Sequence, residues 1–148
     1  MKKILLVSGL ASIGFLSAAG VRTAEACDKH AASTEAALKM VTVAEVAAMK
    51  PADRVVVDAN NADTRKSIGI IPGAILLSSS SNFDVKELSV AKTSKLVFYC
   101  YNEQCSASHA AAKRARENGF ADVAVLGAGI MGWKAAGKPL AQIAAAKS

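Results

Sequence analysis

Two cysteines five positions apart, in Cys100-Tyr101-Asn102-Glu103-Gln104-Cys105, are the residues of this 148-residue sequence best suited to covalent chemistry. A cysteine attacks as its thiolate, so the question is whether the surrounding chain favours an anion. Cys100 follows the apolar run 95–99 and precedes an Ala-rich stretch that carries its charges at the far end. A strand passing through a tight connection into a helix sets such a thiol among free amides, at the positive end of the helix dipole. Both lower a thiol's pKa, and the position proposes a reactive thiolate or a persulfide. The plainer alternative fits the same residues: an apolar strand that ends in a small buried cysteine.

The elements that hold Cys100 follow from the patterning of the chain. Thr42-Val43-Ala44-Glu45 fits a capping box and predicts a helix to about residue 49, stopped by Pro51. The runs 54–58, 95–99 and 122–126 are β-branched or apolar with little alternation, the pattern of strands buried on both faces. Asn60, Asn61 and Asp63 supply turn and helix-start chemistry for a short helix over 62–67, and Pro72-Gly73 makes a turn before a short strand. Residues 85–88 suit one helical turn, and 106–117 suit a helix ended by Asn118-Gly119, with Ser106 and Ser108 as helix-start residues that take free amides. Gly127-Ala128-Gly129 leads into a last helix carrying Trp133, which is expected to anchor the core with its N–H bonded. Strands separated by helices predict an α/β domain, with a mainly parallel central sheet and helices on both faces. In such a sheet ligands sit at the carboxyl ends of the strands, where Cys100 falls.

Composition narrows the functional classes. Apolar residues make up 52% of the chain and aromatics only 5%, which suits one domain built on small-residue helices. The net charge of +6 falls to +4 beyond Ala26, with fifteen basic against eleven acidic residues, and no basic run is interleaved with aromatics. Nucleic acid is therefore not an expected partner. Residues 1–26 have a basic start, an apolar stretch too short to span a bilayer, and Ala24-Glu25-Ala26 as a cleavage signal. They predict a secretory signal peptide and a periplasmic or secreted mature chain, with no membrane partner unless Cys27 is lipidated. Lipidation is the less favoured reading, because the aliphatic residue usual three places before a lipid-bearing cysteine is Ala24. The remaining boundaries are an arm over 27–41 with a helical piece at 33–38, a domain over 42–141, and a tail over 142–148. Two histidines and no Cys-x-x-Cys give no basis for a metal site, and no cofactor is expected.

In order and spacing these motifs resemble the rhodanese family of sulfurtransferase-like domains. The resemblance rests on Val-Val-Val-Asp-Ala-Asn at 55–60, Gly69-Ile70-Ile71-Pro72-Gly73-Ala74, Val-Phe-Tyr-Cys at 97–100, and Gly127-Ala128-Gly129 followed by Trp133. It implies a rhodanese-like fold and an enzyme in which Cys100 accepts sulfane sulfur as a persulfide and passes it to a thiol. The partners would be a small sulfur donor and a thiol acceptor. Residues 100–105 have the six-residue length of the sulfurtransferase loop, and Ser106 follows it. The related phosphatase and arsenate-reductase branch has a longer loop closed by arginine, whereas here the first arginine after Cys100 is Arg114.

Some positions depart from the family. Asn60 stands where an arginine is common, Ile70 replaces the usual histidine, and Glu103 replaces a loop glycine, so no positive charge lies in the loop. Glu103 should repel thiosulfate, and the backbone cradle survives if it points outward. Asp58 is expected to brace the strand ends rather than react. His109, three residues into the following helix, is read as a partly exposed helix residue, with an acid–base role as the alternative. Cys105 raises a redox reading: a loop curled around the Cys100 sulfur brings the pair into disulfide range, one cysteine attacking and the other resolving. Otherwise Cys105 fills space as a serine would. Two alternatives to sulfur transfer therefore stand, a thiol–disulfide protein using Cys100 and Cys105 and a catalytically silent binding module of the same fold.

Overall fold

The computed structural model describes residues 37–143. The leader, Cys27, most of the helical piece expected at 33–38, and residues 144–148 lie outside the described residues. In chain order the elements are β1 (Lys39–Val41), α1 (Val43–Ala48), β2 (Val55–Asp58), α2 (Ala62–Ile68), β3 (Ile75–Leu76), β4 (Lys95–Tyr99), α3 (Ala107–Glu117), β5 (Asp122–Leu126) and α4 (Gly129–Ala135). Two 3₁₀ turns, Pro51–Asp53 and Val85–Leu88, complete the set.

The five strands form one sheet in the order β1-β5-β4-β2-β3, and every neighbouring pair is parallel. β4 is central and β5 and β2 flank it, so the three apolar runs are covered on both faces. Successive side chains in a strand point to opposite faces, and the core divides accordingly. Val57, Leu96, Phe98, Val123 and Val125 pack against Ala111, Ala112 and Ala115 of α3 and Leu88 of the second turn. Val56, Val97, Tyr99, Ala124 and Leu126 pack against Val46 of α1 and Ile130 and Trp133 of α4. The alanines let α3 lie close to the sheet, which sets the height of its first turn beside Cys100. This is the α/β arrangement the patterning predicts.

One boundary is corrected. Residues 39–41 are not the end of an arm but the edge strand β1, paired with β5 from Lys39↔Ala124 to Val41↔Leu126. Three residues with only Val41 buried carry too little alternation to be read as a strand. At the other end Ile70 and Ala141 form an isolated antiparallel bridge, with a 2.8 Å hydrogen bond in each direction. The capping box at Thr42 is present, with Thr42 and Glu45 exchanging side-chain and backbone bonds. Gly119 takes φ +87° after α3, the left-handed turn that its sequence suggests. Among the described residues, no helix is long and apolar enough to cross a membrane.

Candidate active site

Cys100 is the first residue past β4, at the carboxyl end of the central strand, and it is 1% exposed. The chain then curls over it. The Cys105 amide donates to the Asn102 carbonyl at 3.1 Å, the Gln104 amide donates to Asn102 Oδ1 at 3.1 Å, and the Cys105 carbonyl comes to 3.0 Å from Cys100 Sγ. The far side of the loop is held by α4, whose Ile130 and Met131 amides donate to the Cys100 and Tyr101 carbonyls at 2.8 and 3.0 Å. That contact explains Gly129. Its φ is +59°, and a Cβ there would lie 2.6 Å from the Tyr101 carbonyl. Gly129→Ala is expected to cost about 1–3 kcal/mol through backbone strain and to displace the loop. A urea midpoint unchanged from the parent would contradict this.

The two sulfurs share the start of α3. The Cys100 thiol donates to the Cys105 carbonyl and Cys100 Sγ meets Ser108 Oγ at 3.2 Å and the Ser108 amide, while the Tyr101 and Ala107 amides bear on the Cys105 sulfur. Helix-start amides need acceptors from outside the helix, and here thiols provide them. Ser106, expected to cap α3 with its hydroxyl, makes no such bond; its backbone is helical (φ −83°, ψ −7°) rather than in the extended conformation that a capping side chain uses.

The electrostatic expectation for Cys100 is reversed. Burial raises its thiol pKa above the ordinary value, reinforced by its hydrogen bond to Cys105, and the contacts with Ser108 only partly offset this. At half-buried Cys105 partial burial pushes upward, but the bonds from the Cys100 thiol and from the Tyr101 and Ala107 amides outweigh it, and its pKa is lowered. The dithiol pair thus loses its first proton at Cys105. Iodoacetamide is expected to label Cys105 first, with a midpoint below that of a free thiol, and Cys100 only at higher pH. Faster labelling of Cys100 at neutral pH, mapped by peptide mass, would contradict the assignment.

Behind the loop lies a buried charged cluster. Asp58, fully buried, accepts from the Tyr99 hydroxyl at 2.6 Å and the Asn60 amide at 2.7 Å, and Arg65 Nε lies 3.4 Å from its carboxylate. The Arg65 guanidinium also donates to the Asp58 and Leu77 carbonyls, each at 2.9 Å. Nε is within ion-pair range but not aligned for a hydrogen bond. The Tyr99 hydroxyl accepts from the Ile71 amide at 3.1 Å, and burial together with the Asp58 charge drives the phenol pKa far up, so it stays a donor. Asp58 therefore ties β2, β4 and α2 together immediately before Cys100, without touching residues 101–105 through any of these bonds. Sequence reasoning missed Arg65. The signal was a lone arginine in the short helix after an Asp-ended strand, at a place where Asn60 leaves the carboxylate without a cation. The Asn60 side-chain amide is itself buried with its nitrogen unpartnered.

Tyr101, Glu103, Gln104 and Ser106 are exposed and Asn102 is half-buried, so Glu103 points away from the Cys100 sulfur. It borders, with half-buried His109, a cleft of about 360 Å³ whose floor includes Met40, Gly127 and Ala128. His109 thus lies beside the loop with Glu103 but makes none of the hydrogen bonds to the Cys100 sulfur. The Trp133 N–H donates to the Pro139 carbonyl at 2.9 Å, closing the chain end over α4. Among the described residues, no group of three or more His, Cys, Asp or Glu side chains is placed to hold a metal ion.

Comparison with solved structures places this architecture among rhodanese-like proteins. A protein of unknown function from Rhodopseudomonas palustris, described as a possible tyrosine phosphatase, is 26% identical over 70% of this chain and 85% of its own, with a TM-score of 0.58. A rhodanese-like domain from Anabaena sp. is 20% identical with a TM-score of 0.60, covering 76% of this chain and 85% of its own. A rhodanese-related protein from Thermoplasma volcanium is 19% identical with a TM-score of 0.54, covering 71% and 99%. No curated protein sequence matches the chain. The model of the rhodanese-like domain matches residues 42–136, from the capped first helix to the end of the last, and on that match the chain belongs to the rhodanese-like domain family.

Proposed function

We propose that this domain is a sulfurtransferase that carries sulfane sulfur as a persulfide on Cys100 and passes it to a thiol acceptor. The observation that carries the reading is the setting of the Cys100 sulfur, at the head of a six-residue loop with the Ser108 amide and hydroxyl upon it. Those donors suit the charge that a persulfide bears. In the loading step the Cys100 sulfur attacks the outer sulfur of a donor RS–SH, and RS⁻ leaves. The Cys100 proton ends on the departing RS⁻, which leaves as the thiol RSH.

The donor class follows from charge. No Lys or Arg lies in residues 100–106 and Glu103 is the loop's one charge, so a low-molecular-weight persulfide suits the site better than the thiosulfate dianion. Tyrosine phosphatase chemistry, the description attached to the Rhodopseudomonas palustris relative, needs a guanidinium fork for the oxyanion. The loop has none, Arg65 is committed to Asp58 and two carbonyls, and Arg114 Nε donates to the Phe83 carbonyl. We place the mature protein in the periplasm on the strength of residues 1–26 alone.

The test is to incubate the reduced protein with glutathione persulfide, block free thiols and map adducts by peptide mass. One added sulfur on Cys100, retained in Cys105→Ser and caught by rapid quench in the parent, is the expected result. If the parent and Cys105→Ser both leave Cys100 bare, sulfur transfer fails and the silent binding module becomes the better reading.

A further inference from the structure

Cys105 is more than a neighbour to the loading step. Residue 105 is folded onto the Cys100 sulfur: the Cys100 thiol donates to the Cys105 carbonyl at 3.0 Å, and each thiol shifts the other's pKa. The Cys105 sulfur accepts from the Tyr101 and Ala107 amides, so a negative charge on it is held by backbone donors. The closed loop turns residue 105 back over residue 100, with the Asn102 carbonyl accepting from the Cys105 amide. Cys100 is sealed at 1% exposure while Cys105 is half-buried, so the thiol nearest a sulfur bound at Cys100 belongs to the protein rather than to an outside acceptor.

We propose that Cys105 is a resolving thiol that attacks the Cys100 persulfide at its inner sulfur, expelling sulfide and closing a Cys100–Cys105 disulfide. This rests on the Cys100 persulfide reading and deepens it. The step balances: Cys100–S–SH and Cys105–S⁻ give Cys100–S–S–Cys105 and HS⁻. The S–S bond to the sulfane sulfur breaks, the bond between the cysteines forms, the sulfane sulfur gains two electrons, and the two thiol sulfurs lose them. A dithiol reductant then returns the pair to thiols, taking up the disulfide by two exchange steps. Where no outside thiol takes the sulfane sulfur, the protein in this way releases it as sulfide, consuming one persulfide and one dithiol per turnover. Attack at the inner sulfur follows from the packing, since it is the Cys100 sulfur itself that lies against residue 105.

The experiment uses the full chain carrying Cys27→Ser, so that the third thiol cannot intervene. The reduced protein is loaded to completion with glutathione persulfide, freed of excess reagent, and held without any added thiol. The expected result is about one equivalent of sulfide released, with loss of two hydrogens across the peptide bearing Cys100 and Cys105. Cys105→Ser and Cys105→Ala are expected to hold the added sulfur on Cys100 and to release less than about a tenth as much sulfide. Sulfide release from both variants at the parent rate, or a parent that keeps its persulfide, overturns the resolving step while leaving Cys100 as the carrier. Absence of sulfur on Cys100 in all three proteins overturns the carrier itself.

Discussion

Cys100→Ser is expected to lower sulfur transfer from a persulfide donor at least about a thousandfold, as loss of a covalent nucleophile does elsewhere. A serine hydroxyl stays protonated at neutral pH and cannot hold sulfane sulfur as a persulfide. The substitution should leave the fold intact, which makes it a clean test. At 1% exposure a new hydroxyl needs partners, and the Cys105 carbonyl at 3.0 Å and Ser108 Oγ at 3.2 Å from the present sulfur provide them. Sulfide or acceptor persulfide formed per minute gives the activity, and a urea midpoint close to the parent's shows that the loss is chemical. A variant that folds and retains a tenth or more of the rate would remove Cys100 from the chemistry.

Asp58→Ala is expected to lose about 3–5 kcal/mol of stability, the usual consequence of stripping one partner from a buried pair. The carboxylate takes bonds from the Tyr99 hydroxyl and the Asn60 amide and faces Arg65, whose side chain is 10% exposed. Removing it leaves a buried guanidinium without its counter-charge and two buried donors unanswered. Replacing both members, as Asp58→Leu with Arg65→Met, should cost less than the two single losses combined, because an apolar pair leaves no stranded charge. Denaturant midpoints across this cycle measure the coupling, and strictly additive losses would show that the carboxylate and guanidinium act separately. Since Tyr99 immediately precedes Cys100, partial folding of Asp58→Ala should also loosen the loop, seen as faster alkylation of Cys100.

Much of the fold could be read from the sequence, because its evidence is local. Val55, Val56 and Val57, the run 95–99 and the run 122–126 are buried by helices on both sides and have no polar face to obscure them. The capping box at Thr42 and the Asn118-Gly119 stop are likewise written in adjacent residues. β1 was not legible, since Lys39 and Met40 are exposed and a strand of three residues on the sheet edge is defined by its partner β5. The placement of Cys100 at a strand end followed from the pattern, but its protonation did not. That depends on how deeply the loop buries it, which helix amides reach which sulfur, and how the two thiols act on each other. Arg65 escaped for a similar reason: its pairing with Asp58 spans seven residues and a turn, and nothing in the run 62–68 shows which face of α2 meets the sheet.

Sulfur carriage by Cys100 is tested most directly by rapid-quench loading with a persulfide whose sulfane sulfur is isotopically heavy, with the label located by fragment mass on the peptide holding both cysteines. Heavy sulfur bound to Cys100 in the first turnover, and still found there in Cys105→Ser, is the predicted result. Heavy sulfur carried on Cys105 while Cys100 remains bare would contradict it.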